Sequence, residues 1–465
     1  MKMFDNVKEL FKKNIPEQEK ADRFLRDGGA EEAIKNYGDE LAYKSADTFS
    51  QTELTPEEEK TLETLRIGAS NVIKSFGLKR SDDNKKGENI LIVTDAGADP
   101  LMIRALHEAG RKIAGDDCRV VVAPKTEHAA QEFGAAIGER MKTADAVLLL
   151  TSLSRSHSKE TVEVMHPHLD EETIDIIMKS PHLAEAFKNL RTYSSKNLAD
   201  KIDGRKRPGA MFPSKARFIS ITNIKTEILT EGGALEDPEE MTARIDKFAE
   251  VMKGVEKVRI TSENGTDLTV DIKVPSLMKE TGVIDKPGQG SNFPSGEFAG
   301  SVDLAGTNGV YVADGAVGMV GRVDHPIKIF IENGVAARIE GGQSAKKIEE
   351  ILQKAQKDFE EKNPQDKKTS AYKVAEFAFG MNSKAFRYEG GKRISPPTSL
   401  EGEKGLGTIH IALGKNSLFN MPKDDPDYNN IPIHIDFVAM ETTVTGIKGD
   451  GSEIEIIKNG DVVCL

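Results

Sequence analysis

Strands and helices alternate from about residue 88, and this order restricts the fold more than any other feature of the chain. The strand-like stretch NILIVTD (89–95) precedes a helical pattern at 100–115. The strand CRVVVAP, a helical pattern at 129–143 and the strand ADAVLLLTS follow. Strand–helix–strand order favours a parallel sheet with crossover helices. We therefore predict an α/β domain over residues 86–255.

Helical segments precede and interrupt this domain. Residues 1–85 are predicted to form a helical N-terminal extension, because apolar residues recur at helical spacing at 56–79. The acidic stretch 159–202 is predicted to be a helical insertion. The turn TDAGADP after the first strand lacks the GxGxxG fingerprint, so a nicotinamide cofactor is only weakly supported.

The pattern changes after residue 255, where apolar and polar residues alternate on both sides of glycine-containing turns. The stretch 325–342 has an Asn-Gly pair at 333–334, the strongest short signal for a hairpin. We predict a β-rich, barrel-like domain over residues 256–465, interrupted by one helix at about 344–361. The sequence therefore predicts an α/β domain followed by a β-rich domain.

Composition excludes several classes of partner. The net charge is −12, which argues against nucleic acid because phosphate binding needs a basic surface. No apolar run approaches the roughly 20 residues of a membrane span, and the first residues have no apolar signal region. Only two cysteines occur, too few for a disulfide framework. We expect a cytoplasmic protein.

Two strand-like stretches carry histidines on a polar face. In IPIHIDF, alternation places His434 and Asp436 on one face of a strand, roughly 6–7 Å apart at their α-carbons. In GTIHIALG, His410 shares a face with the small Ala412. Two histidines and one carboxylate suit zinc, iron or manganese. The alternative is a pair of solvated imidazoles on the outside of an amphipathic sheet.

Glutamates with apolar neighbours extend this set. Glu297 lies between Phe293 and Phe298 in a glycine- and proline-containing loop, and Glu376 lies within the apolar run VAEFAFG. A carboxylate is costly to bury unless it is paired or bound to a metal. The alternative for each is an acid that reaches water or caps the backbone. Glu403 is a weaker candidate, because its loop is charged and is expected to be exposed.

The stretches NGTDLTVDI, NFPSGEFAG, AEFAFGMN, GTIHIALG and HIDF resemble, in order and spacing, the M29 family of metalloaminopeptidases, the aminopeptidase T and S type. The resemblance runs from about residue 85 to the end. It implies a homodimeric enzyme with two zinc or cobalt ions that hydrolyses N-terminal peptide bonds. The residues that match the family's metal ligands are Glu297, Glu376, His410, His434 and Asp436. We favour Glu297 as general base.

Two positions depart from that family. A further glutamate ligand lies five residues before the histidine in the family, where this chain has Gly405; Glu403 is displaced by two residues. A tyrosine lies seven residues after that histidine in the family, where this chain has Ser417. Tyr428 is a candidate to replace it as a substrate-binding residue.

GEKGLGTIHIALGKN is more similar to a divergent branch of the same fold, which includes the 2,5-dihydroxypyridine dioxygenases. This resemblance implies a single iron held by His410, His434 and Asp436. The stretch TSLSRSHSK also resembles that branch, with Ser154 and His157 as candidate substrate contacts. The alternative for this stretch is a turn whose serines cap a helix.

Three functions follow from these observations. The first is a metal-dependent aminopeptidase, favoured because Glu297 and Glu376 have no required role in a mononuclear iron site. The second is an iron-dependent ring-cleaving dioxygenase. The third is a binding or assembly protein built on an old enzyme fold. The expected substrate is a small peptide or another small molecule, and the expected cofactor is one or two divalent metal ions per chain.

Overall fold

The computed structural model describes residues 54–78, 88–95, 98–123, 137, 140–141, 144–151, 216–222, 225–286, 289–416, 419, 421–422 and 424–465. The predicted insertion at 159–202, most of the predicted N-terminal extension, Ser154, His157 and Ser417 lie outside this part of the chain. None of the helices that the structure describes is both long and apolar enough to cross a membrane.

The described residues fall into two compact units, each assembled from separate stretches of the chain. The first unit draws on stretches up to residue 66 and on 76–225 and 284–290. The second draws on 67–75, 226–283 and 291–465. The predicted domain boundaries after residues 85 and 255 stay a prediction.

The first unit contains the predicted parallel sheet. Its strands are β1 (Ile90–Asp95), β2 (Cys118–Ala123), β3 (Ala146–Thr151) and β4 (Arg217–Thr222). They pair in parallel in the order β2-β1-β3-β4. All residues of β1 and β3 are buried, which explains their continuous apolar sequences.

Six helices are described, and two of them begin at a proline preceded by an aspartate. The Asp99 side chain accepts a hydrogen bond from the backbone N–H of Leu101 and so caps the helix that begins at Pro100. Asp237 caps the helix that begins at Pro238 in the same way. The helices are α1 (Pro56–Lys74), α2 (Pro100–Ala114), α3 (Glu227–Thr230), α4 (Pro238–Val251), α5 (Gln343–Lys362) and α6 (Ser399–Gly402).

The second unit is dominated by antiparallel strands, as predicted for the C-terminal half. They are β5 (Val255–Thr261), β6 (Asp267–Ile272), β7 (Met278–Glu280), β9 (Glu297–Gly300), β10 (Val302–Ala313), β11 (Ala316–Val317), β12 (Gly321–Arg322), β13 (Ile327–Glu332), β14 (Val335–Glu340), β15 (Val374–Gly380), β16 (Arg387–Glu389), β17 (Lys392–Ile394), β18 (Ile409–Gly414), β19 (His434–Ala439), β20 (Thr443–Lys448), β21 (Glu453–Lys458) and β22 (Asp461–Val462).

Most of these strands form two sheets. One has the order β14-β13-β10-β6-β5-β20-β21-β22, and the other has the order β12-β11-β19-β18-β15-β9-β7. β16 and β17 form a separate hairpin, and the three-residue strand β8 (Gly290–Asn292) lies in neither of these two sheets. The barrel-like arrangement predicted from the sequence stays a prediction.

Two of the Asn-Gly pairs, at 333–334 and 459–460, form hairpin turns. Asn333 and Gly334 both have positive φ, 49° and 69°, as do Asn459 and Gly460, at 48° and 81°. Two successive residues with positive φ give the turn whose twist matches that of paired strands. The predicted hairpin is therefore confirmed as β13 and β14.

Strands β18 and β19 place apolar residues in the core and leave the other face to polar groups. Ile409, Ile411 and Phe437 belong to the main hydrophobic core. The buried Tyr311 hydroxyl lies 3.0 Å from the carbonyl oxygen of Ile409 and 2.9 Å from that of Phe437. The core thus fixes both strands from behind, on the side opposite to their histidines.

Candidate metal centre

Three adjacent strands, β15, β18 and β19, present four of the predicted ligands on one face. In the paired register, Ala412 of β18 lies opposite Glu376 of β15 on one side and opposite Asp436 of β19 on the other. Alternate residues of a strand share a face, so His410 lies on the face of Ala412. The small Ala412 side chain leaves space between the two carboxylates.

His434 is held in the orientation of a metal ligand. Its Nδ1 lies 2.8 Å from the backbone carbonyl oxygen of Lys415 and donates a hydrogen bond to it. Its Nε2 lies 2.9 Å from Glu376 Oε2 and 3.1 Å from Asp436 Oδ1. Metal-binding histidines commonly fix their second ring nitrogen on a carbonyl in this way. Nε2 is therefore the atom available to a metal.

His410 approaches the same glutamate from the other side. Its Nε2 lies 3.4 Å from Glu376 Oε1 and 3.5 Å from Glu297 Oε2. The ligand atoms therefore form two groups that share Glu376, and within each group all atoms lie within 4.8 Å of one another. The groups are Glu376, His434, Asp436 and Glu297, Glu376, His410. His410 thus stands with Glu297, rather than with His434 and Asp436 as in the predicted iron set.

A lysine that the sequence did not single out lies beside Glu297. The Nζ atom of Lys404 lies 2.7 Å from Glu297 Oε2, 2.9 Å from Glu280 Oε2 and 3.1 Å from Glu403 Oε1. The Lys404 side chain is 5% exposed. A lysine in a charged loop and a glutamate at a strand end are ordinary surface patterns, so neither Lys404 nor Glu280 could be recognised from sequence.

The expectation that the Glu403 loop is exposed is wrong. Glu403 is buried, because the loop that follows α6 folds inward and Lys404 neutralises part of its charge. Gly405, the next residue, has no room for a side chain: a Cβ there would lie 2.6 Å from the Phe386 ring. A glutamate cannot replace Gly405 without displacing this ring, and Glu403 reaches the cluster instead.

Burial and neighbouring charges shift the protonation of the whole cluster. Burial raises the pKa of Glu297 well above its ordinary value and that of Glu403 to about 7. Burial opposes the charged form of His410, yet contact with Glu376 raises its pKa to about 9. Asp436 and Glu376 raise the pKa of His434 in the same way, against burial. Without a metal, the two imidazoles hold protons.

The residues fit a divalent metal ion. Each group combines carboxylate and imidazole donors, the ligands of zinc, manganese and non-haem iron. His434 and Asp436 are each 21% exposed, so their group can be reached from solvent. Glu403 Oε2 is buried and has no hydrogen-bond partner among the described residues. Such an atom is costly unless a ligand or a proton satisfies it.

An apolar wall shares the strand face of the ligands. Ala299 and Ala378 lie opposite each other on β9 and β15, two residues after Glu297 and Glu376, and therefore on the same face. A cluster packs around these two alanines and includes Phe419 and Met421, with the half-buried Tyr428 against it. The predicted substrate-binding tyrosine thus lies in this wall and outside the two ligand groups.

Comparisons with known proteins point to two enzymes of one fold. A family model described as NicX, 2,5-dihydroxypyridine 5,6-dioxygenase, matches residues 210–463. The structure of 2,5-dihydroxypyridine dioxygenase from Pseudomonas putida is similar, with a TM-score of 0.53 and 15% identity, covering 88% of this chain and 98% of that one.

The structure of AmpT from Thermus thermophilus, an M29 aminopeptidase, is also similar. Its TM-score is 0.51 at 15% identity, covering 87% of this chain and 99% of that one. No curated protein sequence matches the chain. Identities this low establish the shared fold and leave the activity to be argued from the site.

Proposed function

The chain belongs to the 2,5-dihydroxypyridine 5,6-dioxygenase family, and from this we propose that it is a metal-dependent dioxygenase that opens the ring of a small hydroxylated aromatic compound. The proposed metal is iron(II), held by Glu376, His434 and Asp436. His410 pairs with the other oxygen of Glu376 and holds that carboxylate in place.

The geometry of His434 carries the proposal. One ring nitrogen is fixed on the Lys415 carbonyl, and the other lies between two carboxylates that come from β15 and β19, the strands on either side of β18. These three residues would hold the metal, and the partial exposure of His434 and Asp436 would let oxygen and substrate reach it. Bound iron(II) would supply the electron-transfer chemistry that cleavage by oxygen requires.

Other residues of the chain are suited to bind and orient a ring. Tyr428 is half-buried against the cluster of Phe419 and Met421, and its ring offers the apolar surface against which an aromatic ring can pack. Glu403 lies in the same buried cluster, close enough for the charge of Asp436 to raise its pKa. Its Oε2 can accept the proton of a ring hydroxyl, which is a general-base role.

A metal-dependent aminopeptidase is the second candidate. The group formed by Glu297, Glu376 and His410 favours it, because a carboxylate shared between two ligand groups is typical of two-metal hydrolases. Two bound metals would supply activation of a water molecule in this candidate, and Glu297 or Glu403 would accept its proton. The predicted homodimer and the predicted zinc or cobalt ions belong to this candidate.

An oxygen-uptake assay separates the two candidates. The chain is loaded with iron(II) without air, mixed with 2,5-dihydroxypyridine and then given oxygen. The dioxygenase is expected to consume about one oxygen molecule per ring lost, measured by an oxygen electrode and by the ring's ultraviolet absorbance. His434→Ala and the metal-free chain are the controls. Release of leucine from leucyl-p-nitroanilide by zinc- or cobalt-loaded protein, without oxygen-dependent ring loss, would overturn the proposal.

A further inference from the structure

Lys404 lies against one of the two ligand groups and away from the other. Its ammonium pairs with Glu280, Glu297 and Glu403, and only Glu297 belongs to a ligand group. Glu376, His434 and Asp436 are not among the ion-pair partners found for Lys404 in the described part of the chain. The two groups therefore differ in the positive charge beside them.

Lys404 and His410 approach the same oxygen atom of Glu297. Glu297 Oε2 lies 2.7 Å from Lys404 Nζ and 3.5 Å from His410 Nε2. A divalent ion bound between Glu297 and His410 would sit beside a buried ammonium. Like charges repel strongly where water is excluded, so this group is a poor metal site while the lysine is in place.

The main chain holds Lys404 firmly where it is. The Asn382 N–H donates to the Lys404 carbonyl oxygen at 2.7 Å, and the Leu406 N–H donates to the Asn382 carbonyl oxygen at 2.9 Å. Asn382 is itself fixed, because its side-chain amide donates to the carbonyl oxygens of Gly233 and Ser295, each at 3.0 Å. With its backbone fixed and its side chain buried, Lys404 has little freedom to swing away.

We propose that Lys404 is a fixed cation that occupies the place of a second metal beside Glu297 and so restricts the centre to one metal ion. This inference rests on the proposed function, in that one metal binds at Glu376, His434 and Asp436. On this inference, the role of Glu297 and Glu280 is to hold Lys404 by ion pairs. It also explains how a chain that has both ligand groups can serve a one-metal reaction.

The test counts the zinc ions that bind to the full-length, chelator-treated protein, by calorimetric titration and elemental analysis. The wild type is expected to bind about one zinc per chain. Lys404→Met, which keeps the length of the side chain without its charge, is expected to bind about two. Adding Glu297→Gln to Lys404→Met is expected to return the count to about one. Lys257→Met, which removes an exposed lysine paired with Asp271, is the control and keeps one zinc.

A second variant covers the case in which Lys404→Met does not fold. In the wild-type background, Glu297→Gln is expected to leave zinc affinity within about twofold, whereas Glu376→Gln abolishes binding. A tenfold or larger loss in Glu297→Gln overturns the inference, as does a wild type that binds two zinc ions or a folded Lys404→Met that binds one. A wild type that binds no zinc overturns the proposed metal centre itself.

Discussion

At the scale of single residues, protonation of His434 competes with metal binding in the proposed centre. Asp436 and Glu376 raise its pKa well above the ordinary value, against the effect of burial. The metal-free chain therefore holds a proton on the nitrogen that the metal needs. A metal and a proton compete for one site, so binding is linked to pH.

We predict that zinc binding tightens as the pH rises from 6 to 8, by about tenfold per unit for each proton released. Calorimetric titration in two buffers with different protonation enthalpies counts these protons. The contribution of His434 to the stability of the metal-free chain changes with pH in the opposite direction. A raised histidine pKa stabilises the folded state in acid, and this stabilisation is lost as the pH rises through the folded-state value. Zinc affinity that is independent of pH would contradict this account of His434.

Gly405 is the residue that sets the path of the loop carrying Glu403 and Lys404. We predict that Gly405→Ala lowers the free energy of unfolding by about 1–3 kcal/mol, because the new methyl group meets the Phe386 ring. Denaturant unfolding measures the loss. In a Phe386→Leu background the same change is expected to cost less, and an equal cost in both backgrounds would show that the ring is not the obstacle.

At the scale of elements, adjacent strands determine the site, and part of it was predictable from local pattern. Alternation alone places His434 and Asp436 on one face, and apolar neighbours mark Glu297 and Glu376 as unusual acids. The sheet order β19-β18-β15-β9, which brings these residues together, depends on pairings between distant stretches. A pattern within one strand carries no information about that order.

Lys404 shows why the rest was not predictable. Its three carboxylate partners include Glu280 on the edge strand β7 and Glu297 on the neighbouring strand β9, more than a hundred residues earlier in the chain. In sequence, the loop around it has the composition of an exposed segment. Burial of a lysine depends on carboxylates that only the folded sheet supplies.

Tyr311 links the two sheets of the second unit behind the site. We predict that Tyr311→Phe lowers the free energy of unfolding by about 1–2 kcal/mol, because the carbonyl oxygens of Ile409 and Phe437 lose their shared donor. Denaturant unfolding of the metal-free protein measures this loss. Tyr388→Phe, at an exposed position, is the matched control and is expected to change little. Equal stability of the Tyr311 variant and the wild type would contradict the role of this hydroxyl.

At the scale of the whole molecule, one fold accommodates two chemistries. The chain is similar in structure to a dioxygenase and to an aminopeptidase at the same low identity, so the fold cannot select between them. The sequence favoured the peptidase on the strength of Glu297 and Glu376. The family match over residues 210–463 and the position of Lys404 move the preference to the dioxygenase.

The number of metal ions per chain distinguishes the two candidate functions. This number depends on how many of the two ligand groups are filled. A dioxygenase of the proposed kind needs one iron, and a two-metal hydrolase needs both ligand groups filled. Because the two groups share Glu376, a substitution of that residue affects both groups and does not show which of them holds a metal. His434 belongs to one group only, which makes it the informative position.

The central claim is a single metal ion held through His434. Its most direct test is elemental analysis of wild type and His434→Ala after iron(II) is loaded without air and unbound iron is removed. The account predicts about one iron per chain in the wild type, and none in a variant that keeps the circular dichroism spectrum of the folded protein. A wild type with no iron, or a folded variant with full iron content, would contradict it.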